Sequence, residues 1–471
     1  MQGNIYLHRK RFCPVLIYEW RSIMKKIGPG GLRSVSEEGA VLRISEAAFP
    51  APFAQVLEFN APVHETWNIV HIGMLVPDCH QIYVCSDNCM RGVVLTAAEM
   101  DAADRFSCVL LEEEDLYEGS LEDITVEGVT DAINRLPYRP RAVAVFLVCL
   151  HHFVGTDAAW VYRNLEERFP DIDFMRCWMD PVMQKTGLTP EQKLKESMFR
   201  PVRPLPVDPG LVCILGDNQP VDPDSDLAKE ITEAGFSYLS LQQCRTYDDY
   251  LRIGAASLFI TRSPSGVHGI KQLAKRLGRP FLYLPPSVGA GEIREEIGEL
   301  RKALSSKEGT DLMQAGQKAA ENALDHALQL IGDTEITVDY IANPRTLGLT
   351  RLLLEHGFRV TRIYIDAISP EEKEDFDWLR SHHPELILNS TVHPKMRVLH
   401  GKENEGNMLA IGPKAAWFGG TARFVNLVEY GGMWGFSGVE KLAGLMEDAF
   451  LHEKDTRSIV PRKGLGCACV L

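Results

Sequence analysis

Leu211-Val212-Cys213-Ile214-Leu215-Gly216-Asp217-Asn218 reads as a buried strand running into a turn. Five consecutive apolar residues leave no polar face, which suits a parallel strand covered on both sides. A helix is expected from about Asp226 to Ala234, closed by Gly235. Leu258-Phe259-Ile260 is the next strand, and Val267 to Leu277 the next helix. Gly278 and Pro280 stop that helix before a strand at Phe281 to Leu284. This is βαβ punctuation, and it predicts a parallel sheet with crossover helices.

The pattern restarts downstream. Ile336 to Ile341 reads as a strand, Arg345 to Glu355 as a helix stopped by Gly357, and Phe358 to Ile365 and Leu386 to Leu388 as further strands. Glu308 to Ile331 lacks strand signals and reads as a long connecting helix. The proline-rich stretch Phe199 to Pro209 is the best linker candidate before Leu211. The expected fold class is α/β, with three Rossmann-like domains and mainly parallel sheets. The expected boundaries are 1–205, 206–330 and 331–455, with a flexible tail at 456–471. No G-x-G-x-x-G fingerprint and no P-loop is present.

The chain has 471 residues, enough for about three domains of ~150 residues. At 45% hydrophobic and 24% charged its balance is that of a globular protein. The net charge of -14 disfavours general nucleic-acid binding. The longest apolar run, Ala142 to Leu150, is too short for a bilayer, which needs ~20 residues. With no signal-peptide pattern in the basic N-terminus, a cytoplasmic protein without membrane contact is expected.

Eleven cysteines in a chain expected in a reducing compartment point to metal binding or redox chemistry rather than disulfides. Cys13, Cys177, Cys213 and Cys244 are read as structural. Cys79, Cys85 and Cys89 lie in Cys79-His80-Gln81-Ile82-Tyr83-Val84-Cys85-Ser86-Asp87-Asn88-Cys89, and a helix there would put Cys85 and Cys89 on one side. Cys108 lies in an expected strand, and Cys149 ends the apolar run that begins at Ala142. Cysteines at the carboxyl ends of parallel strands would face the crevice where such folds hold ligands, and iron–sulfur clusters need several thiolates at one point. The Cys467-Ala468-Cys469 tail is read as incidental. His64, Glu65 and His71 are expected only to form hydrogen bonds.

Glu113-x-Asp115-Leu116-x-x-Gly119 and Cys149-x-x-x-x-Val154-Gly155-x-Asp157 resemble motifs of the nitrogenase component 1 family. The resemblance spans roughly residues 65 to 450. It implies a cluster, [4Fe–4S] or a larger P-cluster-like one, held by Cys85, Cys108 and Cys149, with Cys89 and Cys79 as alternates. It also implies a second component-1-type subunit, identical or different, in a homodimer, heterodimer or heterotetramer. An ATP-dependent iron protein would be the electron donor.

Where the family binds its molybdenum–iron cofactor, this chain resembles the pattern without the ligands. Ser257 to Ser263 has no cysteine, and Trp434 stands where a histidine is usual. That cofactor is therefore not expected, nor is dinitrogen reduction. His152, Arg262 and Trp434 are the candidate substrate-side residues: a proton donor beside Cys149 (a role open to His151 too), a partner for a carboxylate, and a stacking surface. The expected function is a nitrogenase-like reductase subunit. A cluster-assembly scaffold and a non-catalytic binding protein are the rivals.

Overall fold

The computed structural model describes residues 37–54, 69–118, 120–180, 187–306, 310–396 and 408–459. Cys13, His64, Glu65, Cys467 and Cys469 lie outside the described residues. After a short strand β1 (Val41–Arg43), the chain builds one sheet from β2 (Cys79–Cys85), β3 (Phe106–Leu110), β4 (Ala142–Val148) and β5 (Asp173–Met179). A second sheet follows from β6 (Leu211–Ile214), β7 (Ser237–Ser240), β8 (Leu258–Thr261) and β9 (Phe281–Tyr283). The third holds β10 (Glu335–Asp339), β11 (Val360–Tyr364), β12 (Ile387–Asn389), β13 (Met408–Ile411) and β14 (Phe424–Val425). The strand orders are β3-β2-β4-β5, β7-β6-β8-β9 and β1-β12-β11-β10-β13-β14. Every pairing is parallel except β1 with β12.

That exception changes the expected organisation. Val41 pairs with Asn389 and Arg43 with Ile387. This stretch therefore belongs to the third sheet, not to the first unit that the sequence places it in. An edge strand can be recruited from anywhere in the chain, and three residues carry no signal of their destination.

Successive residues of a strand face opposite ways, so a strand buried on both sides feeds two cores. In β6, Leu211 and Cys213 pack with the inner face of the first sheet. Val212 and Ile214 pack instead into a core shared with the third sheet. In β4, Ala142, Ala144, Phe146 and Val148 join the first of these cores, while Val143, Val145 and Leu147 face the opposite side. Cys177, Cys213 and Cys244 are buried in the core between the first two sheets, as apolar residues.

The helices fill the layers between sheets. Val267–Leu277 ends at Gly278, whose φ of 66° is the left-handed cap that glycine favours. This helix crosses Pro190–Ser197 at Gly269, where a Cβ would sit 2.5 Å from the Lys195 carbonyl oxygen. The Thr310–Ile331 helix packs along the Gly435–Leu451 helix. No helix among the described residues is long and apolar enough to cross a membrane.

The Gly269 crossing is tight against backbone, which cannot rotate away. Gly269→Ala should destabilise the chain by about 2 kcal/mol, read as a lower urea midpoint. An unchanged midpoint would show that the two helices can separate freely.

Candidate functional site

The first sheet changes winding direction between β2 and β4, because the chain leaves β2 for one neighbour, β3, and then crosses to the other side. Ligands of open α/β sheets gather at such a switch, beyond the carboxyl ends of the strands. Cys85 ends β2, and Cys149 follows β4 as the first residue of the Cys149–Phe153 helix. Cys108 lies within β3, opposite Tyr83 and two residues short of the strand end. The pleat puts it on the same face as Cys85. Cys85 and Cys89 do not share the helix that would have put them on one side. The strand ends at Cys85, and Cys89 lies in the first turn of the Asp87–Glu99 helix.

The Cys85 thiol feels the other three. Burial, then Cys89, Cys108 and Cys149, push the Cys85 thiol up to about 12. Burial, then Cys89 and Asp180, raise Cys149, and burial raises Cys108. Cys85 is fully buried with its Sγ 2.9 Å from Met90 Sδ, whereas Cys89 and Cys108 are exposed. Cys79 is also buried, the first residue of β2 and so at its far end from the switch. Among the described residues no three His, Cys, Asp or Glu side chains close on one point as a single metal ion requires. Thiolates are the donors that iron–sulfur sites use. The segments bearing these cysteines also carry large exposed apolar side chains: Val94, Leu110, Tyr117, Phe153 and Val154.

Two histidines follow Cys149, with different fates. His151 is buried. Its Nδ1 accepts the Val148 N–H at 3.2 Å, which leaves Nε2–H to donate to Thr125 Oγ1 at 3.1 Å. Burial holds it down at about 4, so it is neutral and fixes the loop rather than supplying protons. His152 is half-exposed, with Nδ1 3.7 Å from Oδ2 of the buried Asp180. His80, to which the sequence reading gave no role, pins edge strand β3. Its ring nitrogens lie 2.7 Å from Ser107 Oγ and 2.8 Å from Tyr138 Oη.

A cavity of about 280 Å³ lies between the carboxyl edges of the second and third sheets. Asp217 beyond β6 and Arg262 after β8 flank the second sheet's own switch, and Tyr340 after β10 faces them. Arg262 is buried rather than on the surface. It donates through Nη1 to the Gly432 carbonyl at 2.6 Å and lies 3.5 Å from Asp217 Oδ1. Burial raises Asp217. Glu191 accepts from Lys195 Nζ at 2.8 Å and from Ser265 Oγ at 2.7 Å. Burial raises Glu429, which accepts from Asn218 Nδ2 at 2.9 Å, and holds Glu372 up to about 7.

Glu429 and Tyr430 have φ of 49° and 58°, a left-handed conformation costly for residues with a Cβ. They begin the turn whose Gly432 rests on the Pro220 carbonyl, where no Cβ fits. Trp434 follows that turn and is fully buried, donating its indole N–H to the Pro285 carbonyl at 3.0 Å. It does not line the cavity, so no face is open for stacking. Of the cavity residues, the sequence pointed only to Arg262. Glu191, Asp217, Glu372 and Glu429 carry no local motif.

Three mainly parallel sheets, with thiols at one switch and a polar cavity at the next, define an α/β protein whose polar and thiol groups gather at strand ends. A family model described as nitrogenase component 1 type oxidoreductase matches residues 70–406, and the chain belongs to that family. A solved structure titled "Nitrogenase Cp1 at pH 6.5" aligns with a TM-score of 0.63 at 14% identity, covering 84% of this chain and 94% of that one. A second, "Nitrogenase Cp1 at pH 5", aligns at 0.51 and 12% identity, covering 88% and 94%. No curated protein matches the chain.

The neutral His151 has a consequence for stability. Its folded value of about 4 lies below the ordinary 6.5. Between those values the unfolded chain binds more protons, so the contribution is full above 6.5 and lost as pH falls towards 4. It amounts to on the order of 3 kcal/mol. His151→Gln should flatten the fall in urea midpoint between pH 7 and 4.5. An unaltered slope would place the acid sensitivity elsewhere.

Proposed function

We propose that the chain is the cluster-bearing subunit of a nitrogenase-like reductase. The observation that carries this reading is the gathering of Cys85, Cys89, Cys108 and Cys149 at the first sheet's switch, in a member of an oxidoreductase family. Cys85, Cys108 and Cys149 are the assigned ligands, with Cys89 the alternate. The position of Cys79, at the other end of β2, speaks against it. An iron–sulfur cluster held there, [4Fe–4S] or larger, supplies one-electron transfer. The chain supplies the sulfurs, the burial of Cys85 and the hydrogen bonds that set the potential.

The exposed apolar side chains on the segments that bear these cysteines support a second component-1-type subunit that completes the site. The electron donor on this reading is an ATP-dependent iron protein, in the cytoplasm. The substrate is assigned to the 280 Å³ cavity, where Arg262 and the carboxylates Asp217 and Glu429 orient it. His152, backed by Asp180, is the proton carrier beside the cluster. A substrate other than dinitrogen fits best. The positions that would ligate a molybdenum–iron cofactor hold Ile260, Thr261 and Trp434, all buried, and none offers a thiolate or imidazole.

Anaerobic purification tests the cluster. The wild-type chain should be brown, carry iron and give an electron paramagnetic resonance signal on reduction. Cys108→Ala and Cys149→Ala should each lose most of the iron, and Cys244→Ala should keep it. Comparing Cys85→Ala with Cys89→Ala identifies the remaining ligand. A colourless wild-type protein that takes up no cluster on reconstitution overturns the proposal.

A further inference from the structure

A second cleft, of about 470 Å³, lies where the first and second units meet. Strand β5 supplies Arg176 and Trp178, the Pro190–Ser197 helix and the turn after it supply Lys193, Glu196 and Arg200, and the Val267–Leu277 helix supplies Arg276. The close crossing at Gly269 sets its floor. Arg176 and Trp178 are two apart on a strand and so share a face.

Positive charge is in excess here, in a chain whose net charge is -14. Arg176 Nη2 and Arg200 Nη2 both approach the same oxygen of Glu166, at 3.4 and 3.5 Å. One carboxylate thus serves two guanidinium groups. Arg276 spends its donors on neutral carbonyls, Val202 at 2.6 Å and Phe199 at 2.7 Å, and its charge is not cancelled. Glu196, the one acid lining the cleft among the described residues, lies 3.6 Å from His268. Arg176 stacks over the Tyr162 ring at 5.2 Å, and its buried Nε has no hydrogen-bond partner among the described residues. Burial and the neighbouring Arg176 pull Arg200 below the usual guanidinium range.

Like charges held this close are costly unless an anion sits among them. Arginine forks match phosphate oxygens, and the half-buried indole of Trp178 offers a surface for a planar ring. The volume is in the range of pockets that enclose a small ligand. We propose that this cleft binds a phosphorylated small molecule bearing a planar ring, of the size and chemistry of a nucleoside diphosphate. The role is binding, not hydrolysis.

The test uses the full chain with ADP, pyrophosphate and adenosine, followed by calorimetry and tryptophan fluorescence. ADP should bind saturably and quench fluorescence, with pyrophosphate and adenosine weaker. Arg200→Glu and Lys193→Glu, both checked for an unchanged melting temperature, should each weaken ADP by at least ~10-fold. Trp178→Leu should abolish the quenching and bring ADP down to the affinity of pyrophosphate. No saturable ADP binding up to ~5 mM, or binding unchanged in both charge reversals, overturns the site. Equal affinity of the wild-type chain for ADP and pyrophosphate overturns the ring contact and with it the ligand class.

Discussion

A parallel strand cannot return to its sheet by a hairpin, and this one constraint shapes the molecule. Each return crosses a face of the sheet, so both faces become covered and the strands become apolar throughout. Polar chemistry is then expelled from the strands to their carboxyl ends. The thiols of Cys85 and Cys149 and the charges of Asp217 and Arg262 occupy equivalent places on two different sheets. One site takes soft sulfur donors and the other hard oxygen and nitrogen groups, yet a single topological rule positions both.

The cavity between the second and third sheets depends on a smaller device. Gly432 offers its carbonyl to the buried Arg262 and to the Asp222 N–H at 3.1 Å. Charge-assisted hydrogen bonds of this kind contribute about 1.5–3 kcal/mol. The left-handed Glu429 and Tyr430 cost about 1–3 kcal/mol each. The turn is therefore held by its docking, and the docking presents the Glu429 carboxylate to the cavity. Strain and site share the same four residues.

Legibility in the sequence follows the range of the interactions. The Val267–Leu277 helix is bounded by Gly278 and Pro280 beside it, and it runs where its periodicity predicts. The strands at Leu211 and Leu258 are recognisable because burial on both faces makes them apolar without a break. What escapes is set by distance along the chain. Asn218 meets Glu429 across 211 residues, and β1 finds β12 across more than 300. Whether Cys85 and Cys89 share a helix stayed open in the sequence for a local reason. Ser86 is the N-cap where strand gives way to helix, and a four-residue spacing looks alike on either side of such a change. Trp434 shows the limit of a motif: its glycine turn was visible, but not that the indole turns inward to Pro285.

The raised thiols link the proposed cluster to the proposed partner. With Cys85 at about 12 and Cys108 and Cys149 raised, the chain alone keeps these sulfurs protonated at neutral pH. Burial is the main cause for each, and the other thiols add to it for Cys85 and Cys149. A bound iron would therefore displace protons, and its positive charge would stabilise the thiolates that burial disfavours. A second subunit covering Leu110, Phe153 and Val154 deepens the burial and raises the cost of thiolates without metal still further. Under such a partner the thiolate form is tolerated only with metal bound. On this reading the exposed apolar side chains belong to the redox site as much as the sulfurs do.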